Sequence, residues 1–68
     1  METLSIRQRQ VLYLIGQAMT TKEIGRELKI SPRTVEVHVG EIRSKLGVRN
    51  KVEMALYAHG ITLSGFEG

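Results

Sequence analysis

Between Arg33 and Ser44 one set of side chains recurs at the spacing of a single helical face: Arg33, Val37, Gly40 and Ser44, flanked by Glu36 and Arg43 on one side and by Glu41 and Lys45 toward the other. These residues suit the reading of a surface better than the making of bonds. In the major groove of a DNA duplex, arginine can reach a guanine edge or a phosphate, and glutamate can accept from a cytosine amino group. Valine can meet a thymine methyl, and glycine lets the helix backbone sit close. Arg33, Glu36, Val37, Gly40 and Ser44 are therefore the candidate base-reading residues. Glu36 is equally placed to pair with Arg33 or Arg43 and touch nothing else. Thr21, Lys22, Thr34, Arg43, Lys45, Arg49 and Lys51 are candidates for phosphate, setting affinity and register rather than sequence.

The alternative chemistries lack their parts. His38 and His59 stand apart in a chain without cysteine, so no metal site is expected. His38 lies on the side of its helix and reads as a packing or hydrogen-bonding residue. Glu23 is explained as a helix cap, and no nucleophile, base and orienting group come together. The chain is expected to be neither an enzyme nor a cofactor or small-molecule binder.

Four helices must position these residues. Ser5-Ile6-Arg7-Gln8 opens the first, whose apolar stripe is Val11, Leu12, Leu14, Ile15, Ala18 and Met19, and which should end near Gln17 to Met19. Thr20-Thr21-Lys22-Glu23 opens a second of about two turns, with Ile24 and Leu28 inward and Gly25 placed to let a neighbouring helix approach. Ser31 caps the third and Pro32 occupies its first position, where no hydrogen bond is lost. It should run to Leu46, closed by Gly47. Asn50-Lys51-Val52-Glu53 opens the fourth, which Gly60 ends. The openings of the first, second and fourth helices read as capping boxes, in which the cap and the residue three later satisfy each other's backbone donors. On the third helix Val35, Val39, Ile42 and Leu46 form a narrow inward stripe.

The expected fold is an all-α, compact four-helix bundle containing a helix-turn-helix over about residues 21–40. Residues 1–62 form the domain and residues 63–68 a flexible tail. Sixty-eight residues leave room for a thin core and no deep cavity. The net charge of +3 favours polyanions only modestly. The absence of cysteine, of a membrane-length apolar run and of a secretory leader points to the cytoplasm. Helices begin almost at Met1, which favours an excised C-terminal domain over the alternative of a free-standing regulator. The fourth helix is apolar on two sides, Val52, Leu56 and His59 with Ala55 close by, and Met54, Tyr57 and Ala58. One side should pack inward and the other, assigned to Val52, Ala55, Leu56 and His59, should pair two copies into a homodimer. A rival reading stays open: a protein-interaction module, or an antagonist forming mixed dimers with a related regulator.

The chain from about Leu4 to Ile61 resembles the LuxR-type helix-turn-helix, and within it the output domains of NarL/FixJ-like response regulators. LSIRQRQVLYLI looks like that family's first helix, TTKEIGRELKIS its second, PRTVEVHVGEIRSKLGV its recognition helix and closure, and RNKVEMALYA its fourth. Thr34-Val35, His38, Ile42, Lys45-Leu46-Gly47-Val48 and Glu53 stand where the family's pattern has them. The resemblance implies a tetrahelical domain that binds double-stranded DNA and regulates transcription in bacteria, often as a dimer through the fourth helix and often fused to a regulatory domain. RNA polymerase is a further expected partner. Gln8 replaces a common glutamate, Ala18 or Met19 stands where a glycine usually precedes the motif, and Lys29 takes a turn position that is commonly glycine. Glu36 and Gly40 replace lysines that are often base readers, so those contacts do not carry over.

Overall fold

The computed structural model describes residues 4–60. Four helices follow one another: α1 Ile6–Gly16, α2 Thr21–Leu28, α3 Pro32–Leu46 and α4 Lys51–Ala58. No strand occurs among the described residues. The expected tail, residues 63–68, lies outside them. Among the described residues, no helix is long and apolar enough to cross a membrane.

Local chemistry accounts for most helix ends. Ser5 and Gln8 close a capping box on α1, and Thr20 and Glu23 another on α2. Ser31 accepts from the Thr34 amide ahead of Pro32. The box expected at α4 is only half present. Asn50 accepts from the Glu53 amide, but the Glu53 carboxylate passes over the cap to the Arg49 backbone N–H, 2.7 Å away. The nearby arginine side chain explains the diversion, because Arg49 Nε also donates to the carboxylate at 3.0 Å.

The closures of α1 and α2 carry strain. α1 stops at Gly16, short of the Gln17 to Met19 expected, because Ala18 adopts φ 64° and turns the chain. Its N–H reaches the Ile15 carbonyl, and the Met19 N–H reaches back to Leu14. Lys29 repeats this at the end of α2, with φ 60° and ψ 43°, while the Ile30 N–H bonds the Gly25 carbonyl at 2.9 Å. Both are left-handed closures that glycine fills without penalty. An L-residue there costs roughly 1 kcal/mol. Lys29→Gly and Ala18→Gly should each stabilise the domain by about 0.5 kcal/mol, the relief of strain being partly offset by the freer unfolded chain. Urea denaturation of each variant checks this, and a lower midpoint would contradict it.

The core gathers Val11, Leu12 and Ile15 of α1, Ile24 of α2, Val35, Val39 and Ile42 of α3, and Met54 of α4. Leu46, the last of the expected stripe, is half-buried and packs against this cluster. α1 packs on both α3 and α4, and α2 rests on α3. Gly25 serves a closer approach than expected. A β-carbon there would lie 2.6 Å from the Ile30 carbonyl oxygen, so the neighbour is the backbone of the turn rather than another helix.

Candidate nucleic-acid interface

α3 is held by its inner stripe, and that fixes what it presents. Arg33, Glu36, Val37, Gly40, Arg43 and Ser44 are all exposed, along nearly the full length of the helix. Val37 keeps 54% of its surface open, and nothing outside the local helix lies within 4 Å of a β-carbon built at Gly40. The face is thus one continuous strip with a shallow apolar centre. Among the described residues, Glu36 forms no ion pair with Arg33 or Arg43.

Around the strip lie the basic residues. Lys22 is exposed and Thr21 half-buried in the first turn of α2, next before α3 in the chain. Thr34 is exposed, its hydroxyl 2.9 Å from that of Ser31. Arg43 and Lys51 are exposed as well. Arg49 is 82% exposed in its side chain and is anchored by its 2.9 Å ion pair with Glu53. Lys45 is half-buried, and its ammonium donates to Gln8 Oε1 on α1 at 3.1 Å. It therefore has an intramolecular partner that its spacing did not announce.

A polar network joins α1 to α3. Gln8 is 6% exposed and donates through Nε2 to Glu41 at 3.0 Å, while His38 Nδ1 lies 3.4 Å from the same carboxylate oxygen. His38 is thus a hydrogen-bonding residue on the flank of the helix. The bond from Gln8 is the main reason the Glu41 carboxyl is held below its ordinary value of 4.5, with His38 next. The sequence had given Gln8 only its capping role. Its position one turn before Val11 and Leu12, on the apolar stripe, was the available signal of burial.

α4 turns Met54 and Ala58 inward and Val52 outward, as expected, and departs from expectation at Ala55, Tyr57 and His59. Met54 is fully buried, Ala55 and Ala58 pack against the core, and His59 Nε2 sits 2.6 Å from the Gly16 carbonyl. Ala55 and His59, expected on the pairing side, are thus engaged with the bundle. The physical reason lies in α1: Gly16 leaves so little room that an added β-carbon would meet Ala58 at 2.8 Å, drawing the end of α4 onto α1. The outward apolar residues are Val52, 69% exposed, and Tyr57, 42% exposed, with Leu56 half-buried between them.

Glu53 makes this end of the molecule acid-sensitive. The Arg49 N–H, then the Arg49 side chain, hold its carboxyl below 4.5. A carboxyl depressed in the folded state stabilises the fold above its unfolded value and loses that contribution as pH falls through the folded value. Stability should therefore be level above about pH 5 and decline below 4.5, with Glu41 contributing in the same window. Denaturation at pH 6, 4 and 3 measures the slope, and Glu53→Gln should flatten it; an equal slope in the variant would contradict the assignment.

Four short helices, the second and third joined by a tight capped turn, with an exposed strip on the third, define a helix-turn-helix domain. The sequence profile of the luxR family of bacterial regulatory proteins matches residues 2–58, and the chain belongs to that family. It is 45% identical over 58 residues to the transcriptional regulatory protein LiaR of Bacillus subtilis (strain 168), which is 85% of this chain and 28% of that protein. It is 48% identical over 54 residues to the transcriptional regulatory protein UhpA of Escherichia coli (strain K12), covering 79% of this chain and 28% of UhpA. Against the nitrate/nitrite response regulator protein NarL of the same strain it is 39% identical over 56 residues, 82% of this chain and 26% of NarL. The chain thus spans under a third of the length of these relatives. The family is one of regulatory proteins, not of enzymes.

Proposed function

We propose that this domain binds double-stranded DNA sequence-specifically in the regulation of transcription, with α3 in the major groove. The observation that carries the reading is the outward strip of α3, where a half-exposed valine and an open glycine lie between arginines. Arg33, Val37, Gly40 and Ser44 read bases, and Glu36, which pairs with neither Arg33 nor Arg43, accepts from a base edge. Thr21, Lys22, Thr34, Arg43, Lys45, Arg49 and Lys51 serve phosphates. Relatives named as transcriptional regulators and as a response regulator support an output domain working in the bacterial cytoplasm, with RNA polymerase a further partner. A homodimer forms through α4, where Val52 and Leu56 remain available beside Tyr57, while Ala55 and His59 brace the helix from behind.

The test is selection of bound sequences from random duplexes, followed by a salt titration of the winner. With four to six phosphates neutralised per domain, log K should fall against log salt with a slope of about −4 to −5. Two half-sites about one helical turn apart are expected of the dimer. A flat salt dependence with no enriched sequence would overturn DNA binding, and sedimentation showing monomer with and without DNA would overturn the dimer.

A further inference from the structure

We infer that Gln8, on α1 and outside the strip, is a positioning residue for DNA recognition that fixes the rotation of α3 about its axis; this rests on the reading that α3 enters the groove. Gln8 is the one polar side chain of α1 that is buried among the described residues, at 6% exposure. Its amide is used at both ends. Oε1 accepts from the Ser5 N–H at 2.9 Å and from Lys45 Nζ at 3.1 Å, while Nε2 donates to Glu41 Oε1 at 3.0 Å. Glu41 and Lys45 are four residues apart and so lie one above the other on the same flank of α3.

The order matters. An amide offers an acceptor on one side and a donor on the other, and the partners arrive in the matching order, ammonium and backbone N–H on the oxygen, carboxylate on the nitrogen. Reversing the amide would set donor against donor and oxygen against oxygen. The apolar stripe of Val35, Val39 and Ile42 tolerates small rotations because burial is non-directional. Hydrogen bonds are directional and weaken steeply off axis. The stripe thus selects the face of α3, and Gln8 holds its angle relative to α1, the element that also carries α4. A glutamate at position 8 would put two carboxylates about 3 Å apart and lose the donor, even though it keeps the capping role toward Ser5.

The decisive experiment compares Gln8→Glu with the reciprocal pair Gln8→Glu plus Glu41→Gln, which restores one donor facing one acceptor with the polarity reversed. Gln8→Glu should lower affinity for the selected duplex by about tenfold or more, the scale of one lost base contact. The double variant should return to within about threefold of the parent. A merely structural role would lower stability without this pattern, so melting is followed alongside. Residual dipolar couplings on the free proteins report the orientation of α3 relative to α1, its rotation about its own axis included, and should shift in Gln8→Glu and recover in the pair. Should Gln8→Glu fail to fold, Glu41→Ala breaks the same contact from the half-exposed side and should shift the same couplings. Couplings unchanged in every variant, or no recovery in the reciprocal pair, would overturn the inference. If the parent itself selects no duplex, the DNA-binding reading fails, and with it the role in recognition, while the couplings still decide whether Gln8 sets the helix angle.

Discussion

Val37→Glu should abolish specific DNA binding while leaving the fold intact. Val37 is 54% exposed at the middle of the α3 strip and forms no part of the core. Its replacement therefore changes stability by no more than about 0.5 kcal/mol, as usual for surface sites. In the groove the change is severe, because a methyl contact worth about 1–3 kcal/mol is lost and a carboxylate is brought among phosphates. A loss of at least ~100-fold, or about 2.7 kcal/mol, is expected. Fluorescence anisotropy with the selected duplex and thermal melting by circular dichroism measure the two effects separately. Binding within threefold of the parent would mean that the strip does not face DNA.

Gly25→Ala should be the most damaging single methyl in the motif. The added carbon would lie 2.6 Å from the Ile30 carbonyl oxygen and 3.4 Å from Pro32 N, both backbone atoms. The carbonyl cannot easily swing away, since the Ile30 N–H is bonded to Gly25 and Ser31 is fixed as the cap of α3. Overpacking of about 3 kcal/mol, less about 1 kcal/mol regained in helix propensity, leaves a net loss near 2 kcal/mol. At about 0.05–0.15 kcal/mol per residue, that is a large share of the stability of so small a domain. Gly40→Ala supplies the contrast, because nothing outside the local helix lies within 4 Å of its added carbon. It should raise stability by up to about 1 kcal/mol and weaken DNA binding, since the same carbon then stands between backbone and duplex. Denaturation and binding curves of the two variants should move in opposite directions for stability; a Gly25→Ala protein as stable as its parent would refute the packing argument.

The elements were legible because their signals are local. Ser5, Thr20, Ser31 and Asn50 each cap a helix that starts where its cap says, and Pro32 and Gly47 bound α3 as expected. The inward stripe of α3 follows from a period of 3.6 residues and needs no knowledge of the partner helices. The family resemblance marked Lys29 as a lysine at a turn position that is commonly glycine, and the structure gives it the left-handed backbone.

What sequence could not give is which surface of one helix meets which atoms of another. α4 offered two apolar sides, and periodicity cannot rank them. Gly16 decided, by allowing Ala58 to close onto α1 and His59, itself exposed, to bond the Gly16 carbonyl. Gln8 is separated from Glu41 and Lys45 by more than thirty residues of chain, and only packing of α1 on α3 makes them one network. The sequence by itself determined four helices, their caps, the core stripe and the family. Tertiary structure alone decided the angle of α3, the rotation of α4 and the partner of Lys45 on α1, because these depend on directional contacts between elements that no local period encodes.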